Sequence, residues 1–281
     1  MRNTSSIEAT LARRGTNALG VSDARKQLDK FRQAVRREEW TAPTSGVALG
    51  FIQANLVVVP ATDAYNFLLF CVRNPTPCPI LEVLDEGSPV PVRSAPEADL
   101  RTDLPRYRIY ERGLVVGEVT NISEHWRDDF VAFLLGCALS ADAALLAAGI
   151  RLRDTEAGSP GAMYGTNIPC RPAGPFHGNL VVSLRPLTGE DTIRAATITS
   201  RLPWAHGAPV HVGDPSLIGI RDIAHTDFGD FLGLESDEVP VFWACGVTPQ
   251  AVAQASQIPF MITHSPGHMF ITSLTEADIE R

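Results

Sequence analysis

Val239-Pro240-Val241-Phe242-Trp243-Ala244 is a short apolar run, and Cys245-Gly246-Val247-Thr248-Pro249-Gln250 follows it directly. The run reads as a buried strand. Thr248 stands where a helix N-cap belongs, and Pro249, with no N–H to lose, suits the first helical position. The helix is expected over 249–257 and a second strand over 260–263. Strand, helix, strand in this order is the unit of an α/β fold with a parallel pair of strands. If these neighbours run the same way, Cys245 and His264 end on one edge of the sheet and face one pocket, where α/β sheets bind ligands. A helix N-terminus also depresses the pKa of a nearby thiol. Cys245, with Gly246 beside it, is therefore expected as a thiolate or a polar contact. The alternative is a small buried residue that only packs. His264 is expected to give or take a proton, and His268 to reach the same pocket across Pro266-Gly267.

The same grammar recurs outward from this unit. Ala54-Asn55-Leu56-Val57-Val58-Val59 reads as a strand closed by Pro60, with a helix over 62–72 and a strand over 80–84. Leu28, Phe31 and Val35 recur at helical spacing in 22–39. Tyr107 to Tyr110 and Leu114 to Val116 flank a hairpin turn. The apolar stretch 125–137 reads as a long buried helix, and 141–148 as a second helix stopped by Gly149. Beyond Ile150 come a Gly/Pro-rich loop, a strand over 179–184, a helix over 190–201 and a strand over 209–212. The expectation is an α/β protein. Its main domain, with a mixed or largely parallel sheet, takes 1–152 and 236–281, and a smaller α/β unit is inserted over 153–235.

Composition narrows the function. With 281 residues, 44% of them hydrophobic and 20% charged, the chain can bury a substantial core. Its net charge of −8 supplies no global basic surface for releasing counterions from nucleic acid. Lys26 and Lys30 are the only lysines, and every other basic residue is arginine. Guanidinium groups fork onto carboxylates, so a small anionic ligand fits an acidic chain. Residues 1–20 contain no apolar signal-peptide core, and the longest apolar run, 130–139, is too short to span a bilayer. Five scattered cysteines, without CxxC or HExxH spacing, suggest neither a disulfide framework nor a metal centre. The expectation is a reduced cytoplasmic protein with no cofactor, no membrane and no nucleic acid, leaving room for a homodimer.

Other polar clusters compete for the site. Asn167-Ile168-Pro169-Cys170-Arg171-Pro172 and Gly174-Pro175-Phe176-His177-Gly178 form a rigid loop with reactive heads. Arg171 is the preferred carboxylate clamp, with a surface ion pair as its alternative. His206, His211 and Asp214 form a third group, read as a loop with one or two site residues rather than a metal centre. Asn55 precedes an apolar run, and Arg73 ends a helix whose macrodipole it could equally satisfy.

Several strings are familiar together: Gly50-Phe51-Ile52-Gln53-Ala54-Asn55, Phe70-Cys71-Val72-Arg73-Asn74-Pro75, Thr166 through Gly178, His206-Gly207-Ala208-Pro209-Val210-His211 and Thr263-His264-Ser265-Pro266-Gly267-His268. In these strings the chain resembles the D-glutamate cyclase family, whose bacterial members carry hydro-lyase labels. The resemblance extends over about residues 20–273. It implies a three-layer α/β part and a smaller two-layer α/β sandwich. It also implies closure of D-glutamate to 5-oxo-D-proline with loss of water. Where the family often has Gly-Tyr-Val-Gln, this chain has Gly50-Phe51-Ile52-Gln53, which removes a hydroxyl.

Such a reaction needs a base to free the amine, donors for the oxyanion and an acid for the leaving oxygen. The roles expected are Arg171 on a carboxylate, His264 or His177 as base, and Cys245 or Asp214 as acid. Asn167, Cys170, His206, His211, Gly246, His268, Asn55 and Arg73 are expected as binding residues. The competing readings are a hydro-lyase acting on another small carboxylate, a non-catalytic carboxylate-binding protein, and a hydrolase with Cys245 as nucleophile.

Overall fold

The computed structural model describes residues 21–279; residues 1–20 lie outside the described part. Two sheets carry the fold. The larger contains β1 (Phe51–Pro60), β2 (Ile80–Val83), β3 (Tyr107–Glu111), β4 (Leu114–Val119), β5 (Phe130–Gly136), β10 (Phe260–His264) and β11 (Phe270–Thr275). Its order is β2-β5-β1-β10-β3-β4, with β11 also on β1. The smaller sheet has the order β6-β7-β9-β8, from β6 (Met163–Pro169), β7 (Asn179–Thr188), β8 (His211–Val212) and β9 (Glu238–Ala244).

The helices are α1 (Val21–Arg36), α2 (Ala61–Arg73), α3 (Asp142–Ala147), α4 (Arg153–Ala157), α5 (Gly189–Thr199), α6 (Thr248–Ala255) and α7 (Glu276–Ile279). The α/β class therefore holds. The strand direction does not: each described ladder is antiparallel. β1 and β2 do run the same way, but β5 lies between them and pairs with both.

β5 is the second correction. Its sequence, FVAFLLG, falls inside the stretch expected to be helical. A short run buried on both sides has no period to separate strand from helix. Seven consecutive pairs with β1, from Ala54↔Gly136 to Pro60↔Phe130, settle it as a strand. Alternation then sorts the side chains. Val57 and Val59 of β1, with Phe133 and Leu135 of β5, share a core with Phe67 and Phe70 of α2 and with Val182 and Phe242 of the smaller sheet. Leu56, Val58, Ala132 and Leu134 face the other way, onto Ala95, Ala98, Leu100 and Leu104 of the Pro-rich segment after β2. A loop, not a helix, thus covers much of that face.

β9 is the third correction. The sequence reading sends it back to the main sheet with β10, yet it pairs with β7 and β8 in the smaller sheet. The chain re-enters the larger sheet only at β10. The two C-terminal strands flanking α6 therefore belong to different sheets. On β7 the even positions Leu180, Val182 and Leu184 join the core shared with the larger sheet. The odd positions, Ser183 and Arg185 among them, point to the opposite face. α1 follows its expected pattern: Leu28, Phe31 and Val35 pack onto Phe51 and Ile271, and the buried Arg32 ties the helix to the carbonyl of Ile271 at 2.9 Å and to Glu97 at 2.5 Å.

Candidate active site

The odd face of β7, the segment joining the two sheets and the ends of β1 and β10 enclose a cavity. Asn55, Cys137, Asp142, Asp154, Ser183, Arg185, His206, Cys245, Gly246 and His264 all line it. Its volume is about 60 Å³. Cys245 and His264 thus share a cavity, as the sequence suggested, but across the meeting of two sheets and not on one parallel edge.

Three buried polar atoms on this wall have no hydrogen-bond partner among the described residues: Ser183 Oγ, His206 Nε2 and His264 Nε2. Buried polar groups are normally paired, and an unpaired one calls for a reason. The two imidazoles share one arrangement. His206 Nδ1 lies 2.7 Å from the Thr76 carbonyl oxygen, and His264 Nδ1 lies 3.3 Å from that of Leu56. A carbonyl only accepts, so each Nδ1 carries the proton and each Nε2 offers a lone pair. Burial brings both pKa values down to about 4, against the partial support of those carbonyl bonds. At neutral pH both rings are uncharged acceptors. His206 has φ +74°, left-handed backbone that costs a non-glycine residue about 1 kcal/mol or more.

Charge is supplied by a pair missed in the sequence. Arg185 Nη2 donates to Asp142 Oδ1 at 2.6 Å and to the Ala138 carbonyl at 3.2 Å. Thr155 Oγ1 donates to Asp142 Oδ2 at 3.0 Å. Trp243 lies 5.6 Å beneath the guanidinium carbon. Arg185 Nε and Nη1 make no hydrogen bond among the described residues, so each is left as a single open donor. Asp154, on α4, has its carboxyl packed against Gly161, where a Cβ would come within 2.9 Å of Oδ2. Neither Arg185 nor Asp154 had a local signal: one sits in an alternating strand, the other in a mixed-charge stretch.

Cys245 overturns one expectation. Burial pushes its thiol up to about 11, outweighing the Val247 N–H that favours the thiolate. The following helix has only two turns, and its N-terminal field does not offset the loss of water. Cys137 is pushed up to about 12 for the same reason. A thiol protonated at neutral pH is a poor nucleophile, which weighs against the hydrolase reading. Gly246 is fixed by contact, since a Cβ there would lie 2.0 Å from Asn55 Nδ2. That same amide donates to the Gly136 carbonyl at 2.5 Å.

Of the residues expected in the site, Asn55, His206, Cys245, Gly246 and His264 come together here. The others lie elsewhere. Arg171 is exposed, and its backbone N–H donates to Asn74 Oδ1 at 2.8 Å while its carbonyl accepts from Asn74 Nδ2 at 2.8 Å. Arg73 bonds the Pro172 carbonyl. The Asn167–Gly178 loop thereby locks onto the end of α2, with Cys170 and Phe176 in the core and Asn167 exposed. His177 is exposed beside Ser256. Asp214 caps a short turn by accepting from the Ser216 N–H at 2.9 Å, and His211 Nε2 meets the Asp214 carbonyl at 2.7 Å. His268 bonds the Pro266 carbonyl at 2.8 Å. Among the described residues, no three His, Cys, Asp or Glu side chains converge as metal ligands, and no helix is long and apolar enough to cross a membrane.

Comparison with known proteins assigns the chain. Residues 131–273 match the model of the D-glutamate cyclase family. A Rubrobacter xylanophilus protein is 56% identical over 89% of this chain and 96% of its own length, and one from Thermoanaerobacter sp. (strain X514) is 57% identical over 87% and 92%; both are named "Putative hydro-lyase". The similarly named YcsI of Bacillus subtilis is 51% identical over 88% of this chain and 96% of its own. The matched segment includes most of the cavity wall, from Cys137 to His264. The chain belongs to the D-glutamate cyclase family.

Proposed function

We propose that the protein is a hydro-lyase that closes D-glutamate to 5-oxo-D-proline, joining the α-amine to the γ-carboxyl carbon and releasing water. One observation carries this reading: two neutral imidazoles with unpaired Nε2 atoms, an unpaired serine hydroxyl and a guanidinium with unused donors belong to residues lining one small cavity. These groups match the substrate. Lone pairs at His206 and His264 accept hydrogen bonds from the ammonium and hold the nitrogen in place. A free N–H of Arg185, on Nε or Nη1, donates to a carboxylate. Ser183 Oγ supplies a donor to the oxygen that gains charge in ring closure. The nucleophile and the electrophile belong to one molecule, so a cavity that enforces a folded conformer removes much of the barrier.

The test is incubation of the purified protein with D-glutamate, L-glutamate and a panel of small hydroxy acids, followed by proton NMR. Lactam signals from D-glutamate are expected, and they should fall on the order of a hundredfold in H264N, the cost of a misplaced nucleophile. Alkene from a hydroxy acid, with no lactam from D-glutamate, would move the assignment to another small carboxylate.

A further inference from the structure

We propose that Asp154 is the proton carrier of the cavity, taking protons from the attacking nitrogen and delivering them to the departing oxygen. This rests on the cyclase reading above. The cavity wall contains two carboxyl groups, and they are in opposite situations. Asp142 is committed, held by Arg185 at 2.6 Å and by Thr155 at 3.0 Å. The Asp154 carboxyl makes no hydrogen bond or ion pair among the described residues, although it lines the cavity and lies against Gly161. Its oxygens are free for a substrate. The helix that carries it ends at Gly158 in the left-handed conformation, and the Ser159 N–H donates to the Asp154 carbonyl at 2.9 Å. The backbone beneath the carboxyl is thus fixed.

The charged and titratable groups around Asp154 are Arg185, Arg153, Asp142 and Tyr164. Burial raises its pKa to about 6, outweighing Arg185 and Arg153, which lower it, while Asp142 raises it further. Arg153 does not neutralise it, being engaged with Glu238 at 2.7 Å. A pKa near 6 falls between those of a carboxyl, about 4.3, and an α-amino group, about 8. A carrier there can accept from one and give to the other near neutral pH. The imidazoles at about 4 and the thiols at about 11 and 12 cannot.

Ring closure moves two protons from nitrogen to oxygen. The Asp154 carboxylate takes one from the ammonium and gives it to the γ-carboxylate. The freed nitrogen lone pair then forms the C–N bond, and the carbonyl π electrons move onto oxygen. Asp154 takes the second proton from that nitrogen and gives it to the hydroxyl. The C–O bond breaks, water leaves, the carbonyl re-forms, and Asp154 is a carboxylate again. No other reactant is needed.

The test compares wild type, D154N and D154E on D-glutamate from about pH 4.5 to 9, with binding of 5-oxo-D-proline followed by thermal shift. In D154N, kcat should fall by on the order of 10²–10⁴ while KM and product binding stay within about threefold. The wild-type kcat should rise through an acid limb that is missing from the residual D154N rate and displaced in D154E. An active wild type with D154N within about threefold of it, or with the limb unchanged in both variants, overturns the assignment of Asp154 and leaves the cyclase reading standing. A wild type that forms no lactam overturns both. Product binding by D154N separates lost chemistry from lost folding. Should D154N not fold, the limb in D154E decides alone.

Discussion

Gly246 shows how narrowly the site is built. It follows Cys245 with nothing between its α-carbon and the Asn55 amide, and a methyl group there would lie 2.0 Å from Nδ2. Asn55 cannot simply turn away, because its amide bridges β1 to the Gly136 carbonyl of β5. Gly246→Ala should therefore destabilise the fold by roughly 1–3 kcal/mol, the usual cost of overfilling a packed interior, seen as a lower urea midpoint, and should lower turnover as well. A midpoint unchanged from wild type would show that the wall yields freely. At this scale the sequence was partly legible. Cys245, Gly246 and His264 are legible because they stand at strand ends. Arg171 and His177 were singled out for their chemistry, yet their loop is spent on holding the end of α2 through Asn74. Arg185 and Asp154 were missed because only three-dimensional contact distinguishes them from any surface charge.

At the scale of elements, β5 and the short turn Pro203–Ala205 determine where His206 stands. Gly136, the last residue of β5, touches the Trp204 carbonyl so closely that an added Cβ would come within 1.6 Å of its oxygen. Trp204 is two residues before His206. Gly136→Ala should push that turn outward, displace the imidazole and cost several kcal/mol, with turnover in the proposed cyclase reaction falling more than binding of its product. His206→Gly is the contrasting change. It removes the imidazole but relieves the left-handed backbone, so the protein should stay folded while turnover falls. Equal unfolding midpoints for G136A and wild type would contradict the close approach. Most helices and strands are legible, since glycine stops and apolar spacing are local, although α6 begins at Thr248 itself, whose Oγ1 donates to the Cys245 carbonyl at 2.7 Å in place of capping the helix. The pairing of strands is not legible. β5 is apolar on both faces and has no readable period, and nothing in Val239–Ala244 says that its partner is β7 and not β10.

The molecule as a whole should record its buried imidazoles in its response to acid. His206 and His264 stand near 4 when folded and 6.5 when exposed. Between those values the unfolded chain binds protons that the folded chain refuses, so their contribution is complete above 6.5 and is lost as pH falls, by roughly 3 kcal/mol each. Asp154 acts in the opposite sense. Its folded pKa of about 6 exceeds the ordinary 3.8, so it favours the fold below 3.8 and loses that contribution as pH rises through 6. Burial lowers His268 in the same sense as the two imidazoles and raises Asp142 in the same sense as Asp154, and the two deeply buried imidazoles leave a net loss toward acid. Thermal unfolding should occur several degrees lower at about pH 4.5 than at pH 7, and the H206G/H264N double variant should show a flatter dependence. An equal slope in that variant would mean that the imidazoles are not neutral in the fold.

The wall of the cavity spans the chain from Asn55 to Met269, and β11, which closes the larger sheet beside β1, begins one residue later. Neither sheet holds the full set of groups. A polypeptide still emerging from the ribosome therefore cannot assemble this cavity until the segment through Met269 has left the exit tunnel.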